Sequence, residues 1–199
     1  MDTYFNLVRH ADYQLSEAGR YYHNVEHTHL VMEACRDITG NPQLPLSLLL
    51  AAKWHDVIYV PGSKTNEEAS ADHLKWCLDR QHTAPQEYAD AYPQARELIL
   101  ATKIDNHLNS TTYADPFIDV ILDADLAIFA VNNYDQFKDI QVNILLEAGL
   151  TDSVENLAKS AAFLSQFLAK ESIYRTEYGQ WEWEHKARRN IETFIDHRL

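Results

Sequence analysis

Ala51-Ala52-Lys53-Trp54-His55-Asp56-Val57-Ile58-Tyr59 is the stretch from which the rest of the chain can be read. It is apolar enough to be buried, yet it carries an adjacent histidine and aspartate. Burying two such groups is costly unless they are hydrogen-bonded, ion-paired or bound to a metal. Helix ends collect such residues, so the pair alone says little. Three other places in the chain change its meaning.

Working outward, residues 46–58 read as one helix with His55-Asp56 near its C-terminal end. Upstream, a helix is expected from about Asn24 to Thr39, where Gly40-Asn41-Pro42 stops it. Its apolar stripe is Val31, Ala34, Cys35 and Ile38. Four residues before Val31 lies His27, and four before that His23, so both fall at the start of the core-facing stripe. A first helix is expected over residues 4–17, ended by Gly19.

Downstream, Pro61-Gly62-Ser63-Lys64 is a turn, and Thr65-Asn66-Glu67-Glu68 matches a capping box with Thr65 as N-cap and Glu68 three residues on. Glu67 falls instead on the buried stripe with Ala71, Leu74 and Leu78, where a carboxylate needs a partner or a function. The helix should run to about Arg80. A loop containing Pro85 and Pro93 is expected next, then a helix over residues 94–105 that buries Ala95, Leu98, Ile99 and Thr102, with Lys103 close by.

Pro116 is a favoured first helical residue. The stripe after it is Phe117, Val120, Ile121, Ala124 and Ile128, and Asp125 falls on the same face. The segment from Val120 to Phe129 is apolar all round apart from Asp123 and Asp125. Three further helices are expected over residues 134–148, 153–170 and 180–197. With no run of strict apolar/polar alternation, no internal repeat and no linker, the reading is an all-α, single-domain bundle of about eight helices over residues 1–199.

Composition bounds the function. The chain has 199 residues, 46 % of them hydrophobic, enough for one sizeable core. Its formal net charge is −13, from 17 Lys+Arg against 30 Asp+Glu, which argues against a nucleic-acid polymer or an anionic membrane as partner. A small anionic substrate in a metal-bearing pocket remains compatible. Cys35 and Cys77 are far apart and read as reduced core thiols. No signal peptide and no apolar run of about 20 residues is evident, so a soluble, cytoplasmic protein is expected.

His27, His55, Asp56 and Asp125 thus come from three helices, each at or near a core-facing position. Any one of them alone reads as a satisfied core polar group. Together, imidazole and carboxylate suit a divalent ion such as Mn, Mg, Co, Ni, Fe or Zn, and helical bundles build such sites from inward-pointing side chains. Because neighbours on a helix do not face each other, His55 and Asp56 must reach the ion from either side of a groove. Two zinc alternatives fail on the sequence. His23-Asn24-Val25-Glu26-His27 has Asn24 where a zincin needs its glutamate, and the P-C-x-x-C element of a nucleic-acid deaminase is missing.

The order His…His-Asp…Asp on an all-helical chain resembles the HD superfamily of metal-dependent phosphohydrolases. More narrowly, the chain resembles a bacterial group described as predicted metal-dependent HD phosphohydrolases. The residues that carry this likeness are Tyr22-His23-Asn24 with His27, Trp54-His55-Asp56 with Ile58-Tyr59, Asn66-Glu67-Glu68 with Ser70-Ala71, Ala101-Thr102-Lys103, Leu122-Asp123-Ala124-Asp125-Leu126 and Ile173-Tyr174-Arg175-Thr176. The resemblance implies an HD-type bundle, His27, His55, Asp56 and Asp125 as metal ligands, and Asp123 as a supporting residue. It also implies hydrolysis of a small phosphate ester, a nucleotide or other phosphomonoester, by a metal-activated water. The runner-up substrate is a phosphodiester or a nucleoside di- or triphosphate.

Nucleotidase relatives often carry a glutamate three residues after the His-Asp pair, where this chain has Tyr59. Glu67 is the best substitute as the group that orients or deprotonates the water; its plainer role is to hold a ligand histidine. His23 is expected to bond the phosphate or protonate the leaving oxygen, or else only to support the ligands. Lys103 and Arg175 are expected to bind phosphate oxygens. Their plainer roles are a cation at a helix C-terminus and a surface ion pair. His10, His29, His73, His82, His107, His185 and His197 carry no functional expectation, although His107 lies near Lys103. Trp181-Glu182-Trp183-Glu184 reads as packing or a subunit contact in a homo-oligomer. A reading from another class is a non-catalytic nucleotide- or metal-binding regulator or scaffold on the same fold.

Overall fold

Helix borders follow the caps written into the chain. The computed structural model describes residues 3–81, 84–109 and 111–197, so His82 lies outside the described residues. Helix α1, Thr3–Leu15, buries Leu7, Ala11 and Leu15, four residues apart. Helix α2, Val25–Thr39, is capped by Asn24, whose Oδ1 accepts from the N–H groups of Glu26 and His27 at 2.9 and 3.1 Å. It ends at Gly40, whose φ of 62° is the left-handed conformation that favours glycine.

Helices α3, Leu46–Trp54, and α4, Asn66–Arg80, follow, then α5, Gln86–Ala101, and the short α6, Ile104–Leu108. Helix α7, Pro116–Asp125, starts with Pro116 behind the Asp115 cap and runs directly into a 3-10 turn, Leu126–Ala130. The rest comprises α8, Tyr134–Glu147; α9, Val154–Leu168; α10, Glu177–Glu182; and α11, Glu184–Asp196. Among the described residues the chain is all-helical, with no strand and no helix long and apolar enough to cross a membrane.

Several borders differ from the sequence expectation. Pro93 lies inside α5. Proline removes one N–H donor from a helix, but Pro93 and Ala89, whose carbonyl loses its partner, both face solvent, while Ala95, Leu98 and Ile99 carry the core contact. No side-chain cap bond forms at Thr65; Glu68 pairs with Lys103 across to the start of α6. The expected helix at 94–105 is divided at Thr102-Lys103, and that at 180–197 at Trp183. Among the described residues there are eleven α-helices, against about eight expected, and these two breaks account for two of them.

The apolar residues form two clusters. One gathers α1 to α5 and α7 around Trp54, Leu48, Leu98 and Ile121. The other gathers the 3-10 turn, α8, α9 and α11 around Phe129, Phe137, Phe167 and Ile191. Trp183 packs against both, and the continuous passage from α7 into the 3-10 turn joins them. Asp125 ends α7 at that junction.

Candidate metal centre

Four donor atoms converge where α2, the end of α3 and the end of α7 meet. Helix α3 stops at Trp54, so His55 and Asp56 lie in the turn after it rather than within a helix reaching residue 58. Leaving the helix is what lets two adjacent side chains turn to one point. His27 Nε2 lies 3.2 Å from His55 Nε2, 3.3 Å from Asp56 Oδ2 and 3.2 Å from Asp125 Oδ1. His55 Nε2 lies 2.9 Å from Asp56 Oδ2 and 3.5 Å from Asp125 Oδ1.

An ion about 2.1 Å from each donor places neighbouring donors about 3.0 Å apart in an octahedron and about 3.4 Å in a tetrahedron. The observed spacings fit such a shell. Both histidines are buried. His55 Nδ1 lies 3.1 Å from the Ala52 carbonyl and donates to it, so Nε2 is the ring atom turned to the other three donors.

Electrostatics agree with the geometry. Burial opposes ionisation of all four groups, yet the cluster overrides it. The Asp125 and Asp56 carboxylates hold His27 above the ordinary histidine value. Asp56 and Asp125 raise His55 still further. Asp56 is held well below the usual carboxylate range, chiefly by His55 and His23, and Asp125 by bonds from His107, His27 and His55. Two buried carboxylates kept ionised in this way form a site that stabilises positive charge, and the donor set fits a divalent ion.

Three neighbours that the sequence did not assign to this site support it. Arg20 donates to the carbonyls of His23, Asp56 and Val57 at 3.0, 2.8 and 2.7 Å, tying the turn before α2 to the His55-Asp56 turn. His107 Nε2 lies 3.1 Å from Asp125 Oδ2 and so orients that carboxylate with Oδ1 toward the cluster. Glu147, at the end of α8, binds His23 through Nδ1 at 2.5 Å and through its backbone N–H. These partners come from distant parts of the chain, and only His107, close to Lys103, had a local hint.

The expected site residues divide. His23 precedes the Asn24 cap rather than forming a helical turn with His27, and its ring stacks on Tyr59 at 4.0 Å. His23, Tyr59 and Glu67 line one cleft of about 490 Å³ together with Asp56, Asp125 and His107. Burial raises the Glu67 carboxyl above its ordinary value, and the Asp56 charge adds to it. Much of the remaining lining is apolar, supplied by Ile104, Leu126, Phe129, Ile144, Phe163 and Leu164.

Lys103 and Arg175 are not brought into this cleft. Lys103 pairs with Glu68. Arg175 donates to the carbonyls of Asn106, Asn109 and Thr111 at 2.7 to 2.8 Å and lies 3.5 Å from Asp119, outside the cleft lining. Asp123, buried beside the site, accepts from the N–H groups of Arg175 and Thr176 and from the Thr176 hydroxyl, anchoring the start of α10. Burial pushes its carboxyl up to about 6 even so.

No protein-family model matches the chain, and no curated protein or solved structure matches it either.

Proposed function

We propose that this chain is a metal-dependent phosphohydrolase of the HD type, acting on a small phosphate ester such as a nucleotide or other phosphomonoester. The observation that carries the reading is the convergence of His27, His55, Asp56 and Asp125, with Asp56 and Asp125 also lining the cleft that holds Glu67 and His23. Those four residues would hold the ion through Nε2, Nε2, Oδ2 and Oδ1. When bound, a divalent ion supplies Lewis acidity, lowering the pKa of water and offsetting charge on phosphoryl oxygens.

The chain's own residues supply the rest. Glu67, with its raised pKa, takes the proton of the attacking water. His23, held through Nδ1 by Glu147, has Nε2 left to face the leaving oxygen, and the imidazolium form of the ring would donate its Nε2 proton there. The apolar lining takes the body of the leaving group and excludes water from it. The cation among the lining residues, Lys159, is exposed and pairs with Glu155 at 2.8 Å.

The engagement of Lys103 and Arg175 elsewhere favours a second reading, in which the cleft binds a metal and nucleotide without turnover. One experiment separates the two. The protein is stripped of metal, and phosphate release from a panel of nucleotides and phosphomonoesters is followed with Mn, Co, Ni, Mg, Fe or Zn restored singly. Hydrolysis predicts metal-dependent release that falls by about 10²-fold or more in Glu67→Gln. Stoichiometric metal with no release from any substrate overturns it in favour of the regulator.

A further inference from the structure

A second group of metal-ligating side chains lies away from this cleft. His10 stands on α1, and His73 and Cys77 stand one turn apart on α4, so the latter two share a face. His10 Nε2 and His73 Nε2 are 2.9 Å apart, and a ring nitrogen of each histidine lies within 4.8 Å of Cys77 Sγ.

The rings are held in place by tryptophans. His10 stacks on Trp54 with 6.1 Å between centroids and 7° between planes. His73 stacks on Trp76 at 5.5 Å and 9°. Burial lowers His73, and the neighbouring His10 adds to the effect; burial also raises the Cys77 thiol to about 11. Two ring nitrogens face each other with room for one proton between them.

We propose that His10 Nε2, His73 Nε2 and Cys77 Sγ form a second metal site that takes a borderline or soft ion such as Zn(II) or Cu(I). Two imidazoles and one thiolate, with no carboxylate, select such ions over Mg or Mn. The three donors leave the fourth corner of a tetrahedron to solvent, which reaches the half-buried histidines. Binding releases the thiol proton, and the ring that donates between the two nitrogens moves its proton to Nδ1, so both Nε2 lone pairs face the ion. The bound ion ties α1 to α4. This site stands independently of the proposed hydrolase activity, since it shares no residue with the cleft.

Cobalt(II) supplies the test, because its thiolate complexes absorb strongly in the near ultraviolet and the His27–Asp125 centre contains no sulfur. Cobalt added to metal-stripped protein should produce that band in the wild type and in Asp125→Asn. The band should vanish in Cys77→Ser, and His10→Gln should weaken cobalt binding about tenfold or more. Added zinc should displace it and raise the melting temperature of Asp125→Asn but not of the double variant Asp125→Asn/Cys77→Ser. His10→Gln leaves the core of α4 untouched, so it keeps the test decisive should Cys77→Ser fail to fold. No band from folded wild type overturns the site, as does a band of equal affinity in His10→Gln or one that persists in Cys77→Ser.

Discussion

Replacing Arg20 by alanine tests how the cleft is built. One guanidinium bonds three carbonyls, those of His23, Asp56 and Val57, and lies 5.8 Å from the Tyr59 ring. A hydrogen bond to a charged group contributes about 1.5–3 kcal/mol. The three share one charge, and Arg20 is half-buried, so the freed carbonyls regain water. The total therefore falls below the sum of three independent bonds, at about 3 kcal/mol. For a domain of this size 1 kcal/mol shifts the melting temperature by roughly 2–4 °C, so Arg20→Ala should melt about 6–12 °C lower. Loss of the clamp also frees the Asp56 backbone, and supporting groups of this kind change metal affinity by about 10–100-fold. Thermal melts followed by circular dichroism, with chelator and with added metal, read the first effect; competition against a metal indicator reads the second. Arg20→Lys, a single ammonium facing three carbonyls, should fall between the two. A Tm within about 2 °C of wild type, with unchanged metal affinity, refutes the clamp.

Other perturbations probe the rest of the molecule. Lys53 is 1 % exposed and bonds Asp12 at 2.5 Å and Thr28 at 3.1 Å, whereas the Asp12 side chain is 36 % exposed. Asp12→Ala strands a buried ammonium and should destabilise by about 1–3 kcal/mol, while Lys53→Met leaves a carboxylate that water reaches and should be nearly neutral; urea melts compare them. Gly179→Ala would place a Cβ 2.8 Å from Tyr174 Cβ and 2.9 Å from Asp123 Oδ2, an overpacking expected to cost about 1–3 kcal/mol by the same measurement. If Glu67 is the base, it works ionised, and its raised pKa moves the acid limb of kcat/KM above the ordinary glutamate range. Activity should then fall as pH drops through that raised value, and an acid limb that stays unchanged in Glu67→Gln counts against the assignment.

What the sequence made legible was local. Asn24 and Gly40 as caps, Pro116 as a first residue and the stripe through Val31, Ala34 and Cys35 are short-range patterns, and the helices follow them. His27, His55, Asp56 and Asp125 were legible for a related reason: each is a polar group at an apolar position. What escaped was pairing across distance. Arg20 with Asp56, and Glu147 with His23, involve exposed-looking residues whose partners no periodicity announces. His10 and His73 were set aside because nothing local says that α1 lies against α4. The Thr65 capping box looked sound, but Glu68 found a stronger partner in Lys103.

Glu147 reaches His23 across 124 residues of chain. Closing so long a loop loses entropy before any contact rewards it, and such contacts slow folding. Helicity and the burial of Trp54, which involve nearer neighbours along the chain, should therefore return first when the protein refolds from urea. The stacking of His23 on Tyr59 should return later, after α8 has docked. A refolding experiment would see two clocks, with intrinsic tryptophan fluorescence leading and recovery of the cleft trailing behind it.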